Sequence, residues 1–248
     1  MVRQVMSRGG TGAGGTTAQG GVRAVVFDLD GVLIDSEQLW DGARREVARE
    51  HGGAWHEGAT ETMQGMSSPE WGRYLHDTLG VALPVEDIVT SVVRGVLEHL
   101  AHELPLLPGA VDAVRRVGRR WPLGLASSAN RPVIDAVLER SALYACFSVT
   151  VSSEEVVRGK PAPDVYLEAA RRLDVAAYQC VAIEDSANGI RSAVASEMTV
   201  IAVPNRRFPP PGEVLRMAAV TLDGLEELTV ETVTHIGRGS AGRRPTVR

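Results

Sequence analysis

Four short segments of the sequence carry side chains that could act together: Asp28-Leu29-Asp30-Gly31, Ser127-Ser128-Ala129-Asn130, Gly159-Lys160-Pro161 and Glu184-Asp185-Ser186. They supply carboxylates, hydroxyls and an ammonium; three of them follow directly on a short apolar run, and Gly159-Lys160-Pro161 lies in a loop after Val151. Asp28 ends such a run, where burying a carboxylate without a partner is expensive, so a strongly charged counter-ion is expected beside it. Glu184 and Asp185 end another, and hard oxygen ligands of this kind suit Mg²⁺, which takes one or two carboxylates directly and keeps several waters. Lys160 is a point charge suited to phosphate and to easing repulsion among the acids. Pro161 and Pro163 limit the freedom of its loop. The chemistry such a set can perform is phosphoryl transfer, which depends on positioning and on charge stabilisation.

These segments need elements that bring them to one rim. Short β-branched runs at 22–29, 123–127, 147–151, 181–183, 199–203 and 219–222 alternate with helical patterns at 110–120, 132–140, 163–173 and 187–196. That alternation predicts an α/β fold with a doubly wound, mostly parallel sheet, whose ligands lie beyond the carboxyl ends of the strands. The interval 36–104 breaks the alternation. It holds no convincing strand, and Ile88, Val92, Val96, Leu100 and Leu104 draw one apolar helical stripe, predicting an all-helical domain inserted after the first strand. The expected hinges lie at 35–36 and 104–109. The division is therefore 22–35 with 105–236 as α/β core, 36–104 as cap, and 1–21 and 237–248 as disordered tails, since these ends are poor in bulky apolar side chains.

The string Phe27-Asp28-Leu29-Asp30-Gly31-Val32-Leu33-Ile34-Asp35-Ser36-Glu37 resembles the first signature of the haloacid dehalogenase superfamily, in its phosphatase and phosphomutase branch. The other three segments are similar to that family's remaining signatures, in the same order, and the resemblance spans roughly 22–228. It implies a Rossmann-like core with a helical cap, and Mg²⁺ held by the side chains of Asp28 and Asp185, by the backbone carbonyl of Asp30, and by Glu184 directly or through water.

On this reading Asp28 attacks phosphorus to give an aspartyl phosphate. Asp30 protonates the leaving group and then activates water. Ser127, through its hydroxyl, and Ser128, through its amide, meet the equatorial oxygens together with Lys160. Asn130 is expected as a helix N-cap. Trp40, Trp55, Trp71 and Tyr74 are expected to pack between cap helices, and the scattered histidines of the cap are expected on its surface.

Within the family, the β-phosphoglucomutase group carries a histidine where this chain has Trp40, and an arginine in the cap loop where Gly65-Met66-Ser67-Ser68 offers Ser68. A mutase must keep water from its phosphoenzyme, so a phosphatase of small phosphorylated metabolites, sugar or polyol phosphates, is the favoured expectation. A β-phosphoglucomutase-like enzyme is the alternative, and an inactive binding module is a third reading. Halide departure needs no proton, so Asp30 argues against dehalogenation.

The net charge of -5 argues against long polyanions as partners, nucleic acid included. No apolar stretch approaches the ~20 residues of a membrane span, and the N-terminus lacks the apolar centre of a signal peptide. Two cysteines, Cys146 and Cys180, form no framework, and a reduced cytoplasmic setting is expected for a monomer or weak homodimer.

Overall fold

The computed structural model describes residues 21–63, 66–205 and 209–240, with side chains described to residue 236. Six parallel strands form its sheet: β1 (Ala24–Phe27), β2 (Leu123–Ser127), β3 (Val149–Ser152), β4 (Cys180–Glu184), β5 (Thr199–Ala202) and β6 (Val220–Thr221), in the order β3-β2-β1-β4-β5-β6. Parallel strands covered on both faces read as continuous apolar runs, and that is how these appear in the sequence. The pleat divides β1 between two cores: Val25 and Phe27 point into one, Ala24 and Val26 into the other.

Between β1 and β2 the chain makes four helices, α1 (Glu37–Glu50), α2 (Ala59–Met63), α3 (Ser68–Arg73) and α4 (Val85–His102), with a π-helical turn at Tyr74–Thr78. These form the inserted all-helical cap. Ile88, Val92, Val96 and Leu100 of α4 are buried as their spacing requires, and α4 packs on α1 and α3. Both linkers to the cap run side by side: Asp35 N donates to Pro105 O at 2.8 Å, Leu107 N to Leu33 O at 3.0 Å, and Ile34 bridges Leu106. A paired double crossing of this kind suits a hinge.

The remaining helices are α5 (Ala110–Gly118), α6 (Arg131–Arg140), α7 (Asp164–Arg172), α8 (Ala187–Ala195), α9 (Gly212–Leu215) and α10 (Val230–Ser240). α5 and α6 share the core of Val25 and Phe27, whereas α7 and α8 share that of Ala24 and Val26, which makes the sheet doubly wound.

Two expectations are corrected. The first strand stops at Phe27 rather than residue 29, because Leu29 O accepts from Leu33 N at 2.8 Å and Gly31, at φ 76°, turns the chain back. The C-terminal tail expected from residue 237 begins inside a helix: α10 runs to Ser240, anchored by the buried Val233 and by Val230 and Ile236 beside it. Residues 1–20, 64–65, 206–208 and 241–248 lie outside the described residues, and with them most of both expected tails and Gly65 of the cap loop.

Candidate active site

β1 pairs with β2 on one side and β4 on the other, so the order of connections reverses there and a crevice opens beyond its carboxyl end. The register sets Phe27 beside Ile183, and Asp28 N continues the ladder to Ile183 O at 3.0 Å. Asp28 thereby stands next to Glu184 and Asp185. Ligand oxygens of these three buried acids all lie within 4.8 Å of one another. Lys160, 2% exposed, reaches them from the loop after β3, with Nζ 2.8 Å from Asp28 Oδ1 and 2.6 Å from Glu184 Oε1.

Glu184 is the anchor of this group. Its Oε1 also accepts from the Tyr166 hydroxyl at 2.9 Å, and its Oε2 accepts from the amides of Asp185 at 3.0 Å and Ser186 at 3.1 Å. Two glycines make room: a Cβ on Gly189 would sit 1.7 Å from Glu184 Oε1, and one on Gly31 would sit 1.9 Å from Asp185 Oδ2.

Burial raises the Asp28 carboxyl to about 7. Lys160 pulls it down, and Glu184 and Asp30 push it further up. Asp185 is raised well above the carboxylate range by burial and by the charges of Glu184 and Asp28. Burial lowers the Lys160 ammonium, but attraction to Asp28 and Glu184 outweighs that and leaves it above the usual lysine value. Three acids thus face one ammonium, and Asp185 Oδ1 is buried with no hydrogen-bond partner. An all-oxygen donor set with excess negative charge and an orphaned carboxylate oxygen fits a hard divalent cation.

Asp30 sits half-buried across the cavity from these acids. Its Oδ1 accepts from the hydroxyl of Ser36 and, at 3.0 Å, from the indole N–H of Trp40. Trp40 therefore does more than pack between cap helices, although its ring does meet Trp71 at 6.2 Å as expected.

Ser128 lines the cavity, and its Oγ is buried without a partner. Ser127 lies beneath, fully buried, with its Oγ accepting from Ala129 N at 3.0 Å. That contact leaves the Ser127 hydroxyl hydrogen free, but Ser127 is not part of the cavity wall. Asn130 occupies the N-cap position of α6 without capping through its side chain. Instead it accepts from Ser68 of the cap at 2.6 Å and donates to Glu154 at 2.6 Å, while Glu154 takes the Arg131 amide at 2.8 Å. The correction has a simple cause: Glu154 supplies the cap charge, which frees Asn130 to join cap to core. The cavity is partly open and measures about 50 Å³, room for only a few waters.

Sequence reasoning assigned no role to Ser36, Arg44, Tyr166 or Gly189, all of which touch this site. Ser36 lay within the signature string and at the expected hinge, and Gly189 left a signal as a glycine inside a helical pattern, where it normally costs stability.

A family model described as haloacid dehalogenase-like hydrolase matches residues 22–196. The chain is similar to hexitol phosphatase B of Escherichia coli, 31% identical over 227 residues that cover 85% of this chain and 96% of that protein. It is also similar to a phosphorylated carbohydrates phosphatase of Thermotoga maritima, 32% identical over 175 residues, 69% of this chain and 80% of the relative. Among solved structures, CbbY from Rhodobacter sphaeroides in complex with phosphate superposes with a TM-score of 0.75 at 28% identity, covering 86% of this chain and 99% of that one.

Proposed function

Because this chain belongs to the haloacid dehalogenase-like hydrolases, we propose that it is a Mg²⁺-dependent phosphatase of small phosphorylated metabolites, sugar or polyol phosphates, working through an aspartyl phosphate on Asp28. The observation that carries this reading is the meeting of Asp28, Asp185 and Lys160 on the wall of one cavity beneath the cap, with Glu184 buried behind them.

Asp28 and Asp185 would hold Mg²⁺ through their side chains and Asp30 through its carbonyl, with Glu184 as a further or water-bridged ligand. When bound, the ion offsets the negative charge shared by the acids and the phosphoryl oxygens. An Asp28 oxygen attacks phosphorus in line, and the bond to the ester oxygen breaks. Asp30 gives that oxygen its proton. Asp30, now ionised, takes a proton from water, whose oxygen attacks the phosphorus of the aspartyl phosphate, releasing inorganic phosphate and restoring Asp28. Lys160 and the Ser128 amide and hydroxyl receive the equatorial oxygens, and the Ser127 hydroxyl, just beneath the cavity wall, completes the set once the phosphoryl group is bound.

Hydrolysis is favoured over phosphomutase chemistry by two side chains. Trp40 and Ser68 stand where the mutase group has a histidine and an arginine, and Ser68 is spent on Asn130. The cap is assigned to 36–104 and the core to 22–35 with 105–236, a division supported by the paired linkers at Ile34 and Leu106. Among the described residues no helix is long and apolar enough to cross a membrane, and Cys146 and Cys180 are free thiols, which supports a reduced cytoplasmic setting. A monomer or weak homodimer completes the reading.

The test is phosphate release from a panel of phosphorylated sugars, polyols and nucleotides, with Asp28→Asn as control. Mg²⁺-dependent release lost in the variant is expected. Undiminished rates after exhaustive chelation, or full activity of Asp28→Asn, would overturn the proposal.

A further inference from the structure

The cap wall of the cavity holds a cation that the mechanism above does not use. Arg44, on α1, is 6% exposed and lines the cavity together with Asp28, Asp30 and Lys160. Its guanidinium carbon lies 5.5 Å from the Trp40 ring centroid and 5.1 Å from that of Trp71. Two indoles thus hold it in place through cation–π contact. Its Nε is buried without a hydrogen-bond partner, and among the described residues no ion pair engages it.

The neighbouring acids Glu37, Asp41 and Asp30 attract Arg44 from a distance, but among the described residues none is within ion-pair reach. Asp41 is committed to Arg45 at 2.6 Å and to Thr60 at 2.6 Å, and Oδ1 of Asp30 to Ser36 and Trp40. Glu37, two turns earlier on α1, lines the same wall but forms no ion pair with Arg44, and burial raises its carboxyl above the ordinary value against the opposing pull of the Arg44 charge. Burial lowers the Arg44 guanidinium to about 10, so it remains a cation at neutral pH. A desolvated guanidinium without an acceptor is costly, and the cost falls when an acceptor arrives with a ligand.

We propose that Arg44 is a specificity-determining residue that receives a second anionic group, a carboxylate or a second phosphate, on the end of the substrate remote from the phosphoryl taken by Asp28. This inference rests on the phosphatase reading and narrows it to phosphomonoesters with a charged tail. The guanidinium fork matches two-oxygen acceptors, and only an anion offsets its charge; a neutral hydroxyl satisfies one donor and leaves the charge unpaired. Trp40 joins the two ends of the site, since its ring stacks on Arg44 while its N–H holds Asp30.

The test compares matched substrates on the full-length protein with Mg²⁺. Glycerol 3-phosphate against 3-phosphoglycerate exchanges a hydroxymethyl tail for a carboxylate, and fructose 6-phosphate against fructose 1,6-bisphosphate adds a phosphate. In at least one pair, kcat/KM for the anionic member should exceed that of its partner by about 10- to 100-fold, the range of a hydrogen-bonded charge. Arg44→Met, which keeps the apolar stem between the indoles, should bring that ratio to parity, mainly through KM, and Arg44→Lys should retain part of it. A wild-type ratio at or below parity in both pairs overturns the proposal, as does a ratio unchanged in Arg44→Met. If that variant does not fold, the wild-type ratios and Arg44→Lys decide. Turnover without preference for an anionic tail defeats this inference alone, whereas no turnover of any phosphomonoester, p-nitrophenyl phosphate included, defeats the phosphatase reading as well.

Discussion

The indole N–H of Trp40 donates to Asp30 Oδ1 at 3.0 Å, so the first cap helix carries a hydrogen bond to the carboxyl proposed to handle the leaving group. Ser36, in the linker to the cap, donates to the same oxygen. Asp30 is thereby oriented by the cap and its linker, which ties placement of the proton to the position of the cap. Ser68 of the cap adds a buried bond to Asn130 beside the serines of the core.

Replacing Trp40 by Phe keeps a ring against Trp71 and removes the N–H. The expected result is a fall in kcat of about 10-fold, the value of roughly one hydrogen bond, with KM changed less. Steady-state kinetics on a minimal aryl phosphate measure it, and an unchanged kcat would remove Trp40 from the placement of Asp30.

Gly189→Ala reverses the usual sign of that substitution. In an ordinary helix interior alanine is the better residue by up to about 1 kcal/mol. Here the new Cβ would sit 1.7 Å from Glu184 Oε1, and either Glu184 or α8 must shift. Destabilisation of about 1–3 kcal/mol is expected, as for overpacking elsewhere, together with weaker activity because Glu184 positions Lys160. Urea unfolding gives the answer, and a variant more stable than the parent would contradict this packing.

Mg²⁺ should raise the melting temperature of the protein, since a ligand bound only by the folded state stabilises it by mass action. The orphaned Oδ1 of Asp185 is the reason that residue is proposed as a principal ligand. Asp185→Asn should therefore lose most of the Mg²⁺-induced shift while still unfolding cooperatively. Equal shifts in both proteins would place the ion elsewhere.

Glu155 offers a pH-dependent test outside the catalytic acids. Despite a desolvation cost, hydrogen bonds from Arg131, the Ser152 amide and Arg172 lower its carboxyl from 4.5 to about 2. A depressed folded value means that the stability it contributes is present above the unfolded value and is lost as pH falls from 4.5 toward 2. Because the group is partly solvated, that contribution is on the order of 1 kcal/mol or less. Denaturation profiles of Glu155→Gln should show a shallower loss of stability across this acid window, and identical slopes would show that the network contributes nothing.

The core of the site was legible because parallel strands buried on both faces read as apolar runs, so the polar residue ending each run stands out. Asp28 and Glu184 close such runs and converge as that pattern implies. The helical cap was legible from the stripe Ile88-Val92-Val96-Leu100, which needs no tertiary information. Tyr166 was not legible: a buried aromatic on α7 reads as core, and its hydroxyl finds Glu184 only through the strand register. Arg44 sits beside Arg45 and near Arg49, where a charged run suggests a solvated face, yet only the fold buries it between two indoles. Asn130 takes the expected N-cap position but does not cap through its side chain, because Glu154, from the turn after β3, takes the Arg131 amide.

The most direct measurement is capture of the covalent intermediate. The protein is mixed with Mg²⁺ and excess p-nitrophenyl phosphate, quenched during turnover with borohydride, which reduces an acyl phosphate, and mapped by peptide mass spectrometry. The account predicts reduction at residue 28 that requires both substrate and Mg²⁺. Turnover with residue 28 left unmodified, or with the modification on another carboxyl, would contradict it.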